Sequence, residues 1–351
     1  MNQFSFEFDA PAAPEPASAS ALPATTTPPT PAPSAPTAPA PAPAPQATPS
    51  LEELARQLEQ DPDFRVLRRL VPVLDFGPAP AAAQGVQRVL VLDTETTGLS
   101  HQADKIIELA MLCVQVDVAS GLPFGPVERF EGFEDPGMPI PAVAKEVTGI
   151  SDDMVRGHRL DDLAVQALVA QADLIVAHNA AFDRPFVEAR FPCFAGKAWA
   201  CSFADIDWKA AGAGSSKLSA LAQDHGWFYD AHRALVDCHA LLQVLAQPVQ
   251  GAATGLARLM AAAAKPSFKL RATGSPFESK DPLKARGYRW DAEAKVWFCT
   301  LPDAARLDEE LVWLKAEVYG RRSARVEIEA LDSLVRYSAR PGQVSQQALP
   351  H

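Results

Sequence analysis

Residues 89–92 form a four-residue apolar run that stops at Asp93, the pattern of a buried central strand. Residues 106–118 and 127–133 predict the next two strands, with Gly121-Leu-Pro as the turn between them. Helical spacing over residues 163–170 is followed by a short apolar strand at 173–177. Leu218, Leu221 and Ala222 mark one helix that stops at Gly226; Ala234, Cys238, Leu241 and Leu245 mark a longer one ended by Pro248 and Gly251. Strands alternating with helices over residues 84–248 predict an α/β domain built on a sheet flanked by helices.

The flanks read differently. Ser50 and Glu53 have the spacing of a capping box, and Leu51, Leu54, Ala55 and Leu58 make one helical face. Asp61-Pro62 resembles a second helix start, with Phe64, Leu67 and Val71 continuing an apolar face up to Pro72. Residues 50–83 are therefore expected to be a short helical segment packed on the α/β domain. Residues 249–265 read as an Ala-rich, weakly helical linker. Residues 266–340 read as a small α+β accessory domain, and 341–351 as a tail.

Composition changes the picture at the amino terminus. Of 32 prolines, 14 fall before residue 50, in a stretch of Pro, Ala, Ser and Thr with little to offset the entropy of ordering its backbone. Residues 1–49 are expected to be a disordered, partly polyproline tether; recognition of such a segment by an aromatic groove is the alternative. The 32 Lys and Arg against 43 Asp and Glu give −11, which argues against a general DNA-coating protein. The start MNQFSFEFDA has no basic cluster or apolar run, and no window approaches the ~18 apolar residues of a membrane span. Five scattered cysteines without a C-x-x-C pair argue against a disulfide framework or structural zinc. A cytoplasmic protein with no membrane partner is expected.

Three segments carry candidate chemistry. In VLDTETTG, Asp93 and Glu95 lie two residues apart at a strand end, so the pleat points both carboxylates to one face. Such a pair suits a hard cation, Mg²⁺ or Mn²⁺, although acidic residues also commonly solvate a strand end. In AHNAAFDRPF, Asp183 follows Asn179 by four residues; Pro185 suits only a first turn, so the regular helix is expected to begin near Phe182 or Asp183. A structural role, Asn179 as N-cap with Phe182 and Phe186 as core, is compatible with a chemical one. In AHRALVDCHALL, His232 and Asp237 are five residues apart, about 140° on an ideal helix, so His232 must sit in the preceding loop. Asp237 borders the inward stripe Ala234, Cys238 and Leu241, and a half-buried carboxylate needs a partner such as a metal ion.

Together and in this order, these segments resemble the three motifs of the DnaQ-like 3′→5′ exonucleases of the DEDDh type. Asp93, Glu95, Asp183, His232 and Asp237 match the five signature residues. The resemblance covers roughly half of the chain and implies a ribonuclease H-like fold with a mixed sheet. Residues 140–151 also resemble the family's substrate-side region, where proofreading members usually have a histidine and this chain has Thr148.

The resemblance implies two Mg²⁺ or Mn²⁺ ions per site. Asp93 would bind both, Glu95 and Asp237 would complete the nucleophile-side shell, and Asp183 would support the other ion. His232 is implied as general base. Thr96, Thr97, Gly98, Leu99, Thr148, His178, Asn179 and Phe182 are candidates for holding the terminal nucleotide, and Phe182 is equally a core candidate. The implied activity is release of 5′-mononucleotides from a nucleic-acid 3′ end, single-stranded or frayed DNA in repair or proofreading, with RNA trimming as the alternative. A polymerase or repair partner would be reached through the amino-terminal tether. The alternative from another class is a non-catalytic docking subunit, which has no need of four clustered carboxylates. In the accessory segment, residues 265–298 hold eight Lys and Arg against four Asp and Glu, interleaved with Phe268, Phe277, Tyr288, Trp290, Trp297 and Phe298. Those aromatics serve either as a small core or as stacking surfaces for bases.

Overall fold

The computed structural model describes residues 49–81, 83–249 and 253–350. The expected tether lies outside the described residues apart from Pro49, as does Gly251, the expected helix stop. Helix α1 (Leu51–Glu59) opens on the predicted capping box: the Ser50 N–H donates to Glu53 at 2.7 Å, and the Glu53 N–H donates back to the Ser50 hydroxyl at 3.2 Å. None of its residues is buried.

The chain divides after Leu54, and the unit from Ala55 onward holds the sheets. The second helix expected near Pro62 does not form. Instead β1 (Arg68–Arg69) pairs in parallel with a later strand, because only nine residues separate Pro62 from Pro72 and the backbone groups of Arg68 and Leu70 find partners at Gly226 and Phe228.

The main sheet starts with a meander of β2 (Val86–Thr96), β3 (Ile106–Asp117) and β4 (Pro123–Phe133), antiparallel throughout. Two short helices, α2 (Ala142–Thr148) and α3 (Asp152–Val155), lead to α4 (Asp162–Gln171), whose N-cap Asp161 accepts from Leu163 and Ala164. Strand β5 (Leu174–Ala177) then runs parallel to β2, helix α5 (Ala180–Arg190) follows, and β6 (Ala198–Cys201) pairs in parallel with β5. The spatial order is β4-β3-β2-β5-β6, a mixed sheet as the resemblance implies. Beyond it come α6 (Leu218–Asp224), β7 (Trp227–Phe228), which is the partner of β1, and α7 (Ala234–Ala246).

The period-2 alternation of β2 sorts the two halves of the core. Val89 and Val91 face one layer with Leu241 and Leu245 of α7; Leu90 and Leu92 face the other with Val165 of α4 and Phe186 of α5. Asp93 and Glu95 continue the first row and Thr94 the second. Beyond Val91, which pairs with Val176, β2 outruns β5 and leaves an open edge at the carboxyl ends of the strands. That is the switch point where open α/β sheets form their clefts.

The expected linker 249–265 is a packed helix, α8 (Gly255–Ala263). Its N-cap Thr254 accepts from Ala257 and donates to the Gly121 carbonyl at 2.8 Å, while Leu256, Leu259 and Met260 enter the main core. Gly121 is required there: at φ +68 a Cβ would stand 2.4 Å from both Thr254 Oγ1 and Ala257 Cβ.

The remaining elements are β8 (Ser267–Ala272), α9 (Lys280–Ala285), β9 (Arg289–Asp291), β10 (Val296–Leu301), α10 (Ala304–Trp313), β11 (Arg325–Leu331) and β12 (Gln343–Ala348). They form a second, antiparallel sheet in the order β12-β11-β8-β10-β9. The expected tail is thus its edge strand. The expected accessory domain is also tied to the first sheet. The excursion 332–340 between β11 and β12 lies against α5 and β6, where the fully buried Arg184 donates to the carbonyls of Leu334 and Arg336 at 2.5 and 2.6 Å. The Trp199 N–H donates to the Ser333 carbonyl, and Arg336 and Arg340 reach Asp205 and Glu188.

Candidate active site

Asp93 and Glu95 project from β2 on the face that α7 covers, and Asp237 comes from the first turn of α7. One carboxylate oxygen from each lies within 4.8 Å of the others. Asp183 arrives from the opposite face at the open edge of β2, where its Oδ1 accepts the Thr94 N–H at 3.1 Å and the Thr94 hydroxyl at 2.8 Å. All four line one groove of about 600 Å³, together with His178, Asn179, Phe182 and His232.

The first turn of α7 is fixed from β3. Buried Glu108, opposite Glu95 in the β2–β3 register, accepts the Ala234 N–H at 3.0 Å and pairs with Arg233 at 2.9 Å, capping a helix whose own N-cap residue makes no side-chain cap. Asp237 folds back over this start, with Oδ2 accepting from the His232 N–H at 2.8 Å and the Arg233 N–H at 3.2 Å. Its Oδ1 accepts from the Tyr229 hydroxyl at 3.2 Å. His232 sits in the loop before the helix, as its spacing from Asp237 requires, exposed and in the left-handed region at φ 68. Asn179 is also left-handed, at φ 75; its side chain makes no cap hydrogen bond and it lines the groove.

The carboxylates are held close, and the Arg233 guanidinium offsets only part of the crowding at Glu95. Burial raises Asp93 well above the usual range, and the charges of Asp183, Asp237 and Glu95 add to it. Burial, then Asp237 and Glu108, raises Glu95 to about 8. Burial raises Asp183 to about 7 against the opposing hydrogen bonds from Thr94, and it raises Asp237 too. Three oxygen donors with this mutual repulsion fit a hard divalent cation.

The whole core of this arrangement falls within residues 90–245, which match the family model RNase_T, Exonuclease. Residues 90–245 are an exonuclease-family domain. Among curated proteins, the chain is 41% identical over 103 residues to DNA polymerase III PolC-type of Listeria welshimeri, and 41% identical over 105 residues to that of Halalkalibacterium halodurans. Each match takes in 29% of this chain and 7% of the relative, so the chain spans a small part of the length of these proteins. The solved structure of exonuclease X in complex with 5′ overhanging duplex DNA is similar at 22% identity and TM-score 0.35, over 48% of this chain and 99% of that one.

Several expected contacts of the exonuclease domain lie elsewhere. In the turn after β2 both threonine hydroxyls are engaged: Thr96 donates to the Gly98 carbonyl at 2.6 Å, and Thr97 accepts the Lys105 N–H at 3.0 Å and contacts Asp104. Gly98 is packed on Asp104, whose carboxylate a Cβ would meet at 2.6 Å, and Leu99 points to solvent. None of the four lines the groove. Thr148 is also absent from it, because its buried hydroxyl closes the end of α2, donating to Ala144 O and accepting from Ile150 N. Helix α5 begins at Ala180 rather than near Phe182, and Pro185 stands inside it; the carbonyl that loses its donor belongs to exposed Ala181.

His178 does reach the groove. Its Nδ1 lies 2.7 Å from the Ser202 hydroxyl, and burial lowers its pKa to about 4, which keeps the ring neutral. Thr94, Phe203, Lys217, Ser219 and Tyr229 line the groove without having been singled out in the sequence. Only Thr94, between the two acids, carried a local signal: it is the alternate-face residue of the strand.

A pH dependence follows from Glu95. In the folded, metal-free protein its carboxyl keeps a proton to about 8, whereas the unfolded chain releases it near the ordinary glutamate value of 4.5. Its stabilising share is thus complete below that lower value and is lost as pH rises toward 8. In chelator, Glu95→Gln is expected to unfold at a higher temperature than wild type at pH 8, with the gap closing toward pH 5. Added Mg²⁺ should reverse the order. Parallel melting curves with no pH-dependent gap would contradict the crowding of these acids.

Proposed function

We propose that the protein is a metal-dependent 3′→5′ exonuclease that hydrolyses the terminal phosphodiester of DNA and releases 5′-mononucleotides. The observation that carries this reading is the convergence of Asp93, Glu95 and Asp237 within 4.8 Å in a groove shared with Asp183 and His232. Asp93, Glu95 and Asp237 would hold Mg²⁺ or Mn²⁺, with Asp183 supporting a second ion. The bound cations would polarise the phosphoryl oxygen and make a water more acidic.

His232 accepts the proton of the attacking water on its imidazole, and the loop that carries it is anchored by its own N–H on Asp237. The water oxygen bonds to phosphorus, the bond from phosphorus to the 3′-oxygen of the penultimate nucleotide breaks, and that oxygen takes a proton from solvent. Phe182 and Phe203 wall the groove where the terminal base would lie. DNA is preferred as substrate, in a replication or repair setting, because the matching relatives are DNA polymerases by name.

The substrate is tested with 5′-labelled single-stranded DNA, single-stranded RNA and a mismatched primer–template, each with Mg²⁺, Mn²⁺ or chelator. A metal-dependent ladder that shortens from the 3′ end of the DNA supports the reading; a ladder on RNA alone moves it to RNA trimming. The base is tested separately. His232→Ala is expected to slow single-turnover cleavage by roughly 10²- to 10⁴-fold while Mn²⁺ binding, followed by calorimetry, changes little. Loss of metal binding together with rate would make His232 part of the cation site instead.

A further inference from the structure

The second sheet presents a cleft of about 530 Å³ that the main groove does not share. It is lined by Phe277, Trp290, Trp297, Lys280 and Lys295 beside residues 274–276. The register explains why these rings meet. Trp297 of β10 stands opposite both Trp290 of β9 and Ala272 of β8, so the three share one row on the face that carries Leu270 of the module's core. Because β9 is an edge strand of only three residues, that row runs out of the core and into solvent.

The aromatics of this module therefore divide. Tyr288 is buried at 3% exposure, whereas Trp290 and Phe277 are 51% and 79% exposed, and Trp290 is the one exposed tryptophan of the six. The two tryptophans meet edge-on at 5.5 Å, which is not a closed stack. Large rings left in water around a concave surface mark a binding site more often than an accident of packing.

Charge selects the occupant. Arg271 and Arg286 are consumed by Glu327, Glu329 and Glu310. The exposed Lys280 and Lys295 pair with no carboxylate among the described residues, and the Lys280 ammonium lies 4.9 Å from the Phe277 ring centre. In a chain of net charge −11, a local excess of Lys and Arg beside exposed rings fits a ligand that is both planar and anionic. We infer that this cleft binds unpaired bases of a single-stranded nucleic acid, with Phe277, Trp290 and Trp297 stacking on base and Lys280 and Lys295 meeting the phosphates. The inference rests on the exonuclease reading for the choice of nucleic acid, and it gives the enzyme a second hold on the strand it shortens.

The test uses the full chain in chelator, where no hydrolysis occurs, and a fluorescein-labelled oligothymidine of twenty nucleotides read by anisotropy. Trp290→Ala and Phe277→Ala are each expected to weaken binding by about 5- to 150-fold, and Trp290→Phe to restore most of it. Lys280→Ala should reduce the dependence of log K on log salt by ~0.7. An abasic oligonucleotide of the same length should bind wild type more weakly and be indifferent to Trp290→Ala. With Mg²⁺, cleavage of the p-nitrophenyl ester of thymidine 5′-monophosphate, too short to reach the cleft, should be unchanged in all the variants. Failure of wild type on that ester counts against the active-site reading alone. Unaltered oligothymidine binding in the Trp290→Ala, Phe277→Ala double variant, or equal binding of the abasic strand by wild type, overturns the cleft. So does self-association of the chain that the double variant abolishes.

Discussion

Asp93→Asn is expected to lower the cleavage rate by at least ~10³-fold, roughly 4 kcal/mol of transition-state stabilisation, without unfolding the protein. Asp93 is the acid on which the charges of Asp183, Asp237 and Glu95 all act, so it stands at the centre of the cluster. The asparagine keeps the size of the side chain in β2 and removes one negative charge from a crowded site. In chelator the variant should therefore be at least as stable as wild type, and calorimetry should show weakened Mn²⁺ binding. A rate within tenfold of wild type would mean that the reacting centre lies outside this groove.

The second large effect concerns Arg184, the residue after Asp183. Its guanidinium is fully buried, pairs with Glu188 at 2.6 Å, and donates to the carbonyls of Leu334 and Arg336. Its plane also lies over Trp199, 5.2 Å from the ring centre. Arg184→Ala removes all donors at once and leaves buried acceptors unpaired, so the loss of stability should be about 3–5 kcal/mol in urea unfolding. Arg184→Lys cannot reproduce the fork that spans Glu188 and the two carbonyls, and should recover only a small part. Because Arg184 and Asp183 share one turn of α5, the surviving folded protein is also expected to cleave more slowly. A change under about 1 kcal/mol, well inside the range of ordinary substitutions, would mean that the 332–340 segment contributes little to the domain it contacts.

What the sequence made legible was local. The apolar run before Asp93 placed the two acids of β2 on one face because strand side chains alternate, and the five-residue spacing of His232 and Asp237 put the histidine in the loop because a helix turns 100° per residue. What stayed hidden depends on distant partners. Tyr229 meets Asp237 and Glu108 caps α7 only after β3 and α7 pack, and neither has a motif of its own. The turn at Thr96–Leu99 read as a substrate contact because polar residues after a strand look available, yet Gly98, Asp104 and Lys105 engage its threonine hydroxyls. The final strand read as a tail, since β12 has no buried residue and takes its place from β11 alone. Helix α8 was missed as a packing element because alanine-rich sequence carries little amphipathic contrast; Thr254 and the space at Gly121 decide it.

The most direct test of the exonuclease account is the identity of the first product released from a single-stranded DNA that carries its label in the 3′-terminal nucleotide. With Mg²⁺ and wild-type protein, the label should leave at once as a 5′-mononucleotide, and with Asp93→Asn it should stay on the strand. Early release of the label in longer fragments, or its release at an equal rate by the variant, would contradict the account.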